Sequence, residues 1–445
     1  MVACPASLTG NEFPRRRSRR DARTAAGGPA EAVDAGPVGP VGIAVAEPAK
    51  PRAGDTHDIG PTRAGGGLPP ELDPRRPRRR RPRPKHAVRR IVLGVLLVAL
   101  VIPGWSVGQA LTASGTDSVA ARLAEWARGH GGARVVTWAE QLQYRLHPPK
   151  TGGTPAGGIP GSTGTDPHLQ ASRPLHPVPA VVSPALPGEG QWRVLTAVRG
   201  HPAVQAAYLR PDATHTSYLA AVAELDPALV RVDLHPGTQE PGHGPWSLPP
   251  ALPADKTGVV AAFNSGFRLG EAQGGYYSDE RTVGTLRPGA ASLVIKRDGT
   301  ATVGQWGRDV RLGPQVVAVR QNLALLVDGG QVVPGIADNT GNRWGATLGN
   351  KLYVARSGLG VTATGQLVYV AGPSLSAATL ADLLARAGSV RAMELDINPE
   401  WTSFSYYVPG PTGAPAAAKL LASMQRPANR YESTSTRDFL GVLAR

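Results

Sequence analysis

The sequence predicts an α+β domain, a mostly antiparallel β-sheet with a few helices, preceded by a basic tail and a single transmembrane helix. Three observations predict it. Between residues 191 and 445 the apolar runs are short, rich in Val and separated by turn residues, the pattern of strands in a sheet. Only one stretch there, SAATLADLLARAG, carries a convincing helical period. Upstream, a dense arginine cluster is followed directly by an uncharged run, Ile91 to Ala113.

The elements follow in chain order. Residues 1–90 hold 19 Lys and Arg against nine Asp and Glu, so this tail supplies most of the formal net charge of +15. Its Pro-, Arg- and Gly-rich composition cannot bury enough apolar surface to offset chain entropy, so it is expected to be disordered. The charge therefore describes the tail, and no nucleic-acid partner is expected for the folded domain. The tail itself offers a surface for anionic lipid, or for nucleic acid on the cytoplasmic side. Residues 91–113 meet the length a bilayer requires, with Pro103 and Gly104 as a kink. The flanking arginines should stay in the cytoplasm, which puts the rest of the chain outside the cell membrane as a signal-anchored protein. Residues 114–147 read as two short amphipathic helices broken at Gly131-Gly132, a juxtamembrane stalk, and 148–190 as a Pro/Gly-rich extended linker. The globular domain is expected over 191–445. The single cysteine, Cys4, lies in the tail, so the exported part has no disulfide and must be held by core burial.

Within the domain, Asp298-Gly299 and Asp328-Gly329 sit between strand-like runs and predict tight hairpins. The late helix should stop at Gly388, with the strand VRAMELDI after it. That strand begins the stretch RAMELDINPEW. Alternation puts Met393, Leu395 and Ile397 on one face and Glu394, Asp396 and Asn398 on the other. A polar ridge of this kind is either a solvated outer face or the wall of a cleft, and Trp401 and Phe404 beyond it favour a sugar-binding surface. Two further stretches carry chemistry. VVAAFNSGF ends a small-residue strand in Asn264-Ser265-Gly266-Phe267, putting polar groups at a sheet rim. In YVARSGLGV, Arg356 interrupts an apolar strand and requires a planar acidic partner, either a structural carboxylate or a ligand phosphate.

Together these stretches resemble the phosphodiester glycosidase family. AAFNSGF is similar to that family's early Asn-Gly-Gly-Phe-Phe-like motif, ARSGLGVTATGQLVYV to its Arg before a glycine-containing hairpin, and RAMELDINPEWTS to its Asn-Leu-Asp-Gly-Gly-Gly-Ser strand. The order agrees over roughly Ser217 to Phe404. Three departures stand out: Ser265 replaces the first glycine of the early motif, Glu394 replaces an Asn, and Ile397-Asn398-Pro399 stand where the family has glycines after the Asp.

The resemblance implies hydrolysis of a sugar-phosphate diester at the anomeric carbon, in envelope or exopolysaccharide glycans. Asp396, Glu394 and Arg356 would be catalytic: Asp396 as base or nucleophile, Glu394 as the second carboxylate that glycosidases commonly need, and Arg356 on the phosphate. Asn264, Gly266 and Phe267 would contact substrate by the same resemblance, and Asn398 and Trp401 by their places on and beside the polar ridge. The two acids could instead bind a divalent cation. The alternative function is a non-catalytic glycan-binding or cell-wall module on the same fold. Three other features are set aside: the scattered His201, His215, His235 and His243, the glycine-rich loop at Tyr276 and Tyr277, and YESTSTRDF, which has no nucleophile motif.

Overall fold

The computed structural model describes residues 85–445, except 114, 133–134, 137, 140–141, 143–145, 147, 162–174, 243, 339–342, 346–352 and 411–412. The basic tail to residue 84 and most of the second stalk helix lie outside the described residues. Helix α1, Lys85–Thr112, contains the apolar run. Its Arg89–Thr112 segment is long and apolar enough to cross a membrane, and none of it is buried in protein. Helix α2, Val119–Gly129, begins where the Ser118 side chain accepts a hydrogen bond from the Ala121 amide, an N-cap.

Among the described residues the strands of the rest form three antiparallel sheets. The largest has the spatial order β1 (Arg193–Val198), β2 (His201–Leu209), β3 (Ala220–Leu225), β14 (Leu367–Leu375), β13 (Val354–Thr362), β15 (Ser389–Asp396), β11 (Leu325–Asp328) and β12 (Gln331–Val332). The second runs β7 (Arg281–Val283), β6 (Tyr276–Ser278), β10 (Val316–Gln321), β8 (Ala291–Lys296) and β9 (Ala301–Gln305). The third runs β17 (Pro415–Lys419), β16 (Phe404–Pro409), β5 (Val259–Asn264), β18 (Phe439–Ala444) and β4 (Val230–His235). Both expected hairpins form, β8–β9 around Gly299 and β11–β12 around Gly329, and each glycine has the positive φ such turns require.

Alternation along the central strands explains the layers. In β14, Leu367, Tyr369 and Ala371 point into the core shared by the three sheets, while Val368 and Val370 point the other way. On that second face lies the late helix, Ala377–Arg386, capped by Ser376 and followed by Gly388 at positive φ. Its Leu380, Leu383 and Leu384 pack on Val327, Val368, Val370 and Ala392. The shared core is centred on stacked Phe263 and Phe404, whose ring centres are 5.5 Å apart, with Tyr369 against both.

The stretch expected as an extended linker is partly bound to the domain. Ile159 and Val178 are buried, the Gly152 amide donates to the Thr214 carbonyl, and Glu189 pairs with Arg210. The paired carboxylate and the two apolar side chains explain why these Pro/Gly-rich segments lie down on the sheets instead of remaining in solvent.

Candidate active site

Strand β5 ends at Asn264, whose side chain ties the third sheet to β13 and β14 of the largest. Its Oδ1 accepts from the Tyr369 hydroxyl at 3.0 Å and the Ser403 amide at 3.2 Å, and its Nδ2 donates to Ser357 Oγ at 3.0 Å. Gly266 follows where no side chain fits easily, since an added Cβ would lie 3.1 Å from Asn322 Oδ1 and 3.2 Å from the Arg320 guanidinium carbon. Asn322 then links the two motif stretches. Its Oδ1 accepts from the Phe267 amide at 3.2 Å, and its Nδ2 donates to the carbonyls of Glu394 at 2.7 Å and Leu395 at 3.1 Å.

At Leu395 the regular alternation of β15 breaks. Asp396 pairs with Ser357 and Glu394 with the very next residue, Gly358, so one residue is bulged. Met393 and Leu395 face the shared core as expected. The two acids, however, have different surroundings. Glu394 is fully buried and its Oε1 lies 2.5 Å from Arg356 Nη1, while Arg356 also donates to the Leu375 carbonyl at 2.9 Å. Burial pushes the Glu394 carboxyl up, against the pull of Arg356. Arg356 thus has the structural carboxylate as its planar partner, and its fork is directed at Glu394 and main-chain carbonyls rather than at open space.

Asp396 instead reaches a cavity of about 1000 Å³, whose lining includes Phe267, Glu271, Asn398, Trp401 and Arg437. Its Oδ1 accepts from the Asn398 amide at 2.9 Å, and its Oδ2 lies 3.3 Å from Arg437 Nη1. Burial pushes the Asp396 carboxyl up to about 7, although Arg437 pulls against it, and Glu271 is the like-charged neighbour that adds to the rise. Beyond Pro399, Trp401 is 3% exposed and forms a shelf for cations: the guanidinium carbons of Arg437, Arg430 and Arg426 lie 4.2, 5.3 and 5.6 Å from its ring centres. Ile397 packs on Phe267, narrowing the cavity where a glycine would leave room.

The structure therefore brings Asp396, Asn398, Trp401 and Phe267 to one cavity. Asn264 and Gly266 precede Phe267 without lining the cavity, and Glu394 and Arg356 form a buried pair that does not line it either. Among the described residues no group of three His, Cys, Asp or Glu side chains is placed to hold a metal ion. The two acids suggested for a divalent cation are each paired with a separate arginine.

Residues 257–396 match the phosphodiester glycosidase family model. The match starts just before β5 and ends on Asp396, so it contains all three motif strands, β5, β13 and β15, of this phosphodiester glycosidase-like domain. Asn398, Trp401, Arg437 and α2 lie outside it. No curated protein sequence matches the chain. Among the solved structures similar to it are these two. One is the catalytic domain of zebrafish N-acetylglucosamine-1-phosphodiester alpha-N-acetylglucosaminidase, auto-inhibited by its pro-peptide. It is 16% identical, covers 57% of this chain and 88% of its own, and has a TM-score of 0.37. The other is a hypothetical protein from Synechocystis, 13% identical, covering 56% of this chain and 63% of its own, with a TM-score of 0.31.

The residues that sequence reasoning missed are polar groups at strand ends. Arg320 and Asn322 close the apolar run VVAVRQN, and Arg320 pairs with buried Asp438 at 2.7 Å. Arg437 and Asp438 come from YESTSTRDF, the stretch set aside for lacking a nucleophile. The signal there was two opposite charges directly before an apolar strand, FLGVLA.

Proposed function

We propose that the domain hydrolyses sugar-phosphate diesters, with Asp396 as the catalytic carboxylate. One observation carries this reading: Asp396 is a buried carboxyl, pushed up to about 7, at the wall of the cavity and at the end of the family match. A carboxyl with such a value is half ionised near neutral pH and so is suited to take a proton. Water attacks the anomeric carbon through an oxocarbenium-like transition state. The C1–O bond breaks with its electron pair leaving on the phosphate monoester, and the water proton passes to ionised Asp396. Because the phosphate is a good leaving group, no second carboxyl is required to protonate it. Glu394 and Arg356 act in this scheme as positioning residues that hold the bulge before Asp396.

The reading extends to location. Helix α1 is proposed as a single-pass membrane anchor, with the arginine-rich side cytoplasmic and residues 191–445 extracytoplasmic, acting on envelope or exopolysaccharide material. The test is Asp396→Asn in the full chain. Turnover of a sugar-1-phosphodiester is expected to fall by at least about a hundredfold, the usual contribution of a general base, while binding persists. Equal turnover by the variant and the native chain refutes the assignment. A second reading, a glycan-binding module without turnover, is favoured by Ile397, which fills space beside Phe267 where the family has a glycine. It predicts glycan binding and no turnover by the native chain.

A further inference from the structure

The cavity's outer side is covered by the segment leading into and through α2, and that segment is seated by its acids. Asp117 pairs with Arg426 and accepts from Thr436 Oγ1 at 2.8 Å, and Gly115, at φ +120°, lies so close to the Thr434 carbonyl that a Cβ would come to 2.6 Å. Eight residues on, Glu125 reaches over the rim. Its Oε1 lies 2.8 Å from Arg437 Nη2 and its Oε2 lies 3.3 Å from Arg268 Nη1. Arg128 of the same helix adds a contact at 3.2 Å. Burial acts to raise the Glu125 carboxyl, but Arg437 and Arg268 outweigh it and hold it below the ordinary carboxylate range.

The two domain arginines come from separate loops, one after β5 and one before β18, yet both direct a terminal nitrogen at a single carboxylate. Each is anchored through another nitrogen: Arg268 Nε on Glu240 at 3.3 Å, and Arg437 Nη1 on Asp396 at 3.3 Å. Arg437 therefore touches both the carboxyl assigned to the sugar carbon and the anion beside it. A phosphodiester needs that relationship, because its phosphorus lies one oxygen away from the anomeric carbon. We propose that Arg268 and Arg437 form the binding site for the phosphoryl group, and that the Glu125 carboxylate stands in that site until a phosphodiester displaces it.

This rests on the hydrolase reading only for the identity of the anion. The surroundings also select its charge. Glu240, Glu271 and Asp396 lie around the two arginines, so a singly charged diester is accommodated better than a doubly charged monoester, which favours release of the product. Arginine forks suit phosphate oxygens because they present paired donors in a plane.

The experiment uses the full chain in detergent micelles and titrates dimethyl phosphate, a diester monoanion, by phosphorus NMR. Glu125→Gln is expected to tighten binding by about tenfold or more, since a competing charged pair is removed. Adding Arg268→Gln, a rim substitution that leaves the core intact, should reverse the gain, and adding Arg437→Gln should do the same. Binding by Glu125→Gln no tighter than native, or unchanged by the added Arg268→Gln, overturns the proposal. Binding requires no turnover, so a chain that binds the diester and hydrolyses nothing leaves this site standing and refutes the hydrolase reading instead.

Discussion

The buried pair of Arg356 and Glu394 is the point at which a structural and a catalytic role can be separated by experiment. Both side chains are at most 2% exposed, and their contact is 2.5 Å. Removing one partner of such a pair strands a charge in the interior and costs about 3–5 kcal/mol, against a much smaller cost when both charges go. For a domain of this size each kcal/mol moves the melting midpoint by about 2–4 °C, so Glu394→Gln should lower it by on the order of 10 °C. The two single substitutions should differ. Arg356 cannot shed its proton, so Glu394→Gln leaves an obligatory buried cation. Arg356→Met leaves a carboxyl that burial already pushes up and that can take a proton. The folded carboxyl value then lies above the unfolded one. Arg356→Met should therefore keep most stability at acidic pH and lose it as pH rises through the raised value. The assay is thermal unfolding of the full chain at acidic and alkaline pH, for both single variants and the double variant, alongside turnover of a sugar-1-phosphodiester. If Glu394→Gln melts within about 2 °C of the native chain while turnover vanishes, the pair is not a structural one and Glu394 is the second catalytic carboxylate.

Three further outcomes are expected. With Asp396 pushed up to about 7 from an ordinary 3.8, kcat/KM should rise with pH through about 7 as the base ionises. The same shift sets a stability slope of known sign: the folded value is the higher one, so its stabilising contribution is full below the unfolded value and lost as pH rises through the folded one. Denaturant titrations across that window should therefore be flatter for Asp396→Asn than for the native chain. Asn264→Ala leaves the Tyr369 hydroxyl and the Ser403 amide without their acceptor, and should cost about 3 kcal/mol in urea unfolding. A loss below about 1 kcal/mol would mean that these groups find other partners and that Asn264 is free to face a ligand.

Local pattern made much of the fold legible. The Asp-Gly hairpins, the Ser376-to-Gly388 helix and the inward Met393 and Leu395 all follow from turn chemistry and period, which act over a few residues. The three-sheet arrangement was not legible, because β4 and β5 pair with β18, close to 200 residues later. The site was half legible for the same reason. Asp396, Asn398 and Trp401 are adjacent in sequence and reach the cavity together. Arg437, Arg268 and Glu125 come from three distant segments, and nothing local in any of them indicates that they converge.

The bulge at Leu395 explains why one strand carries two buried acids with different partners. In an unbroken strand the side chains two residues apart share a face, and Asp396 would have followed Glu394 into the layer beneath the sheet. There Arg356 already neutralises one charge, and a second carboxylate would lack a counter-ion. The extra residue ends this alternation, and two bonds from Asn322 to the Glu394 and Leu395 carbonyls hold the displaced main chain. Asp396 is thereby released to Arg437 and the cavity, while Asn398 fixes it from behind through its amide. The Ile-Asn-Pro sequence that follows does not prevent this arrangement. It supplies the amide of Asn398 and, through Ile397, an apolar wall against Phe267, so what the missing glycines alter is the shape of the space available to substrate rather than the position of the carboxyl.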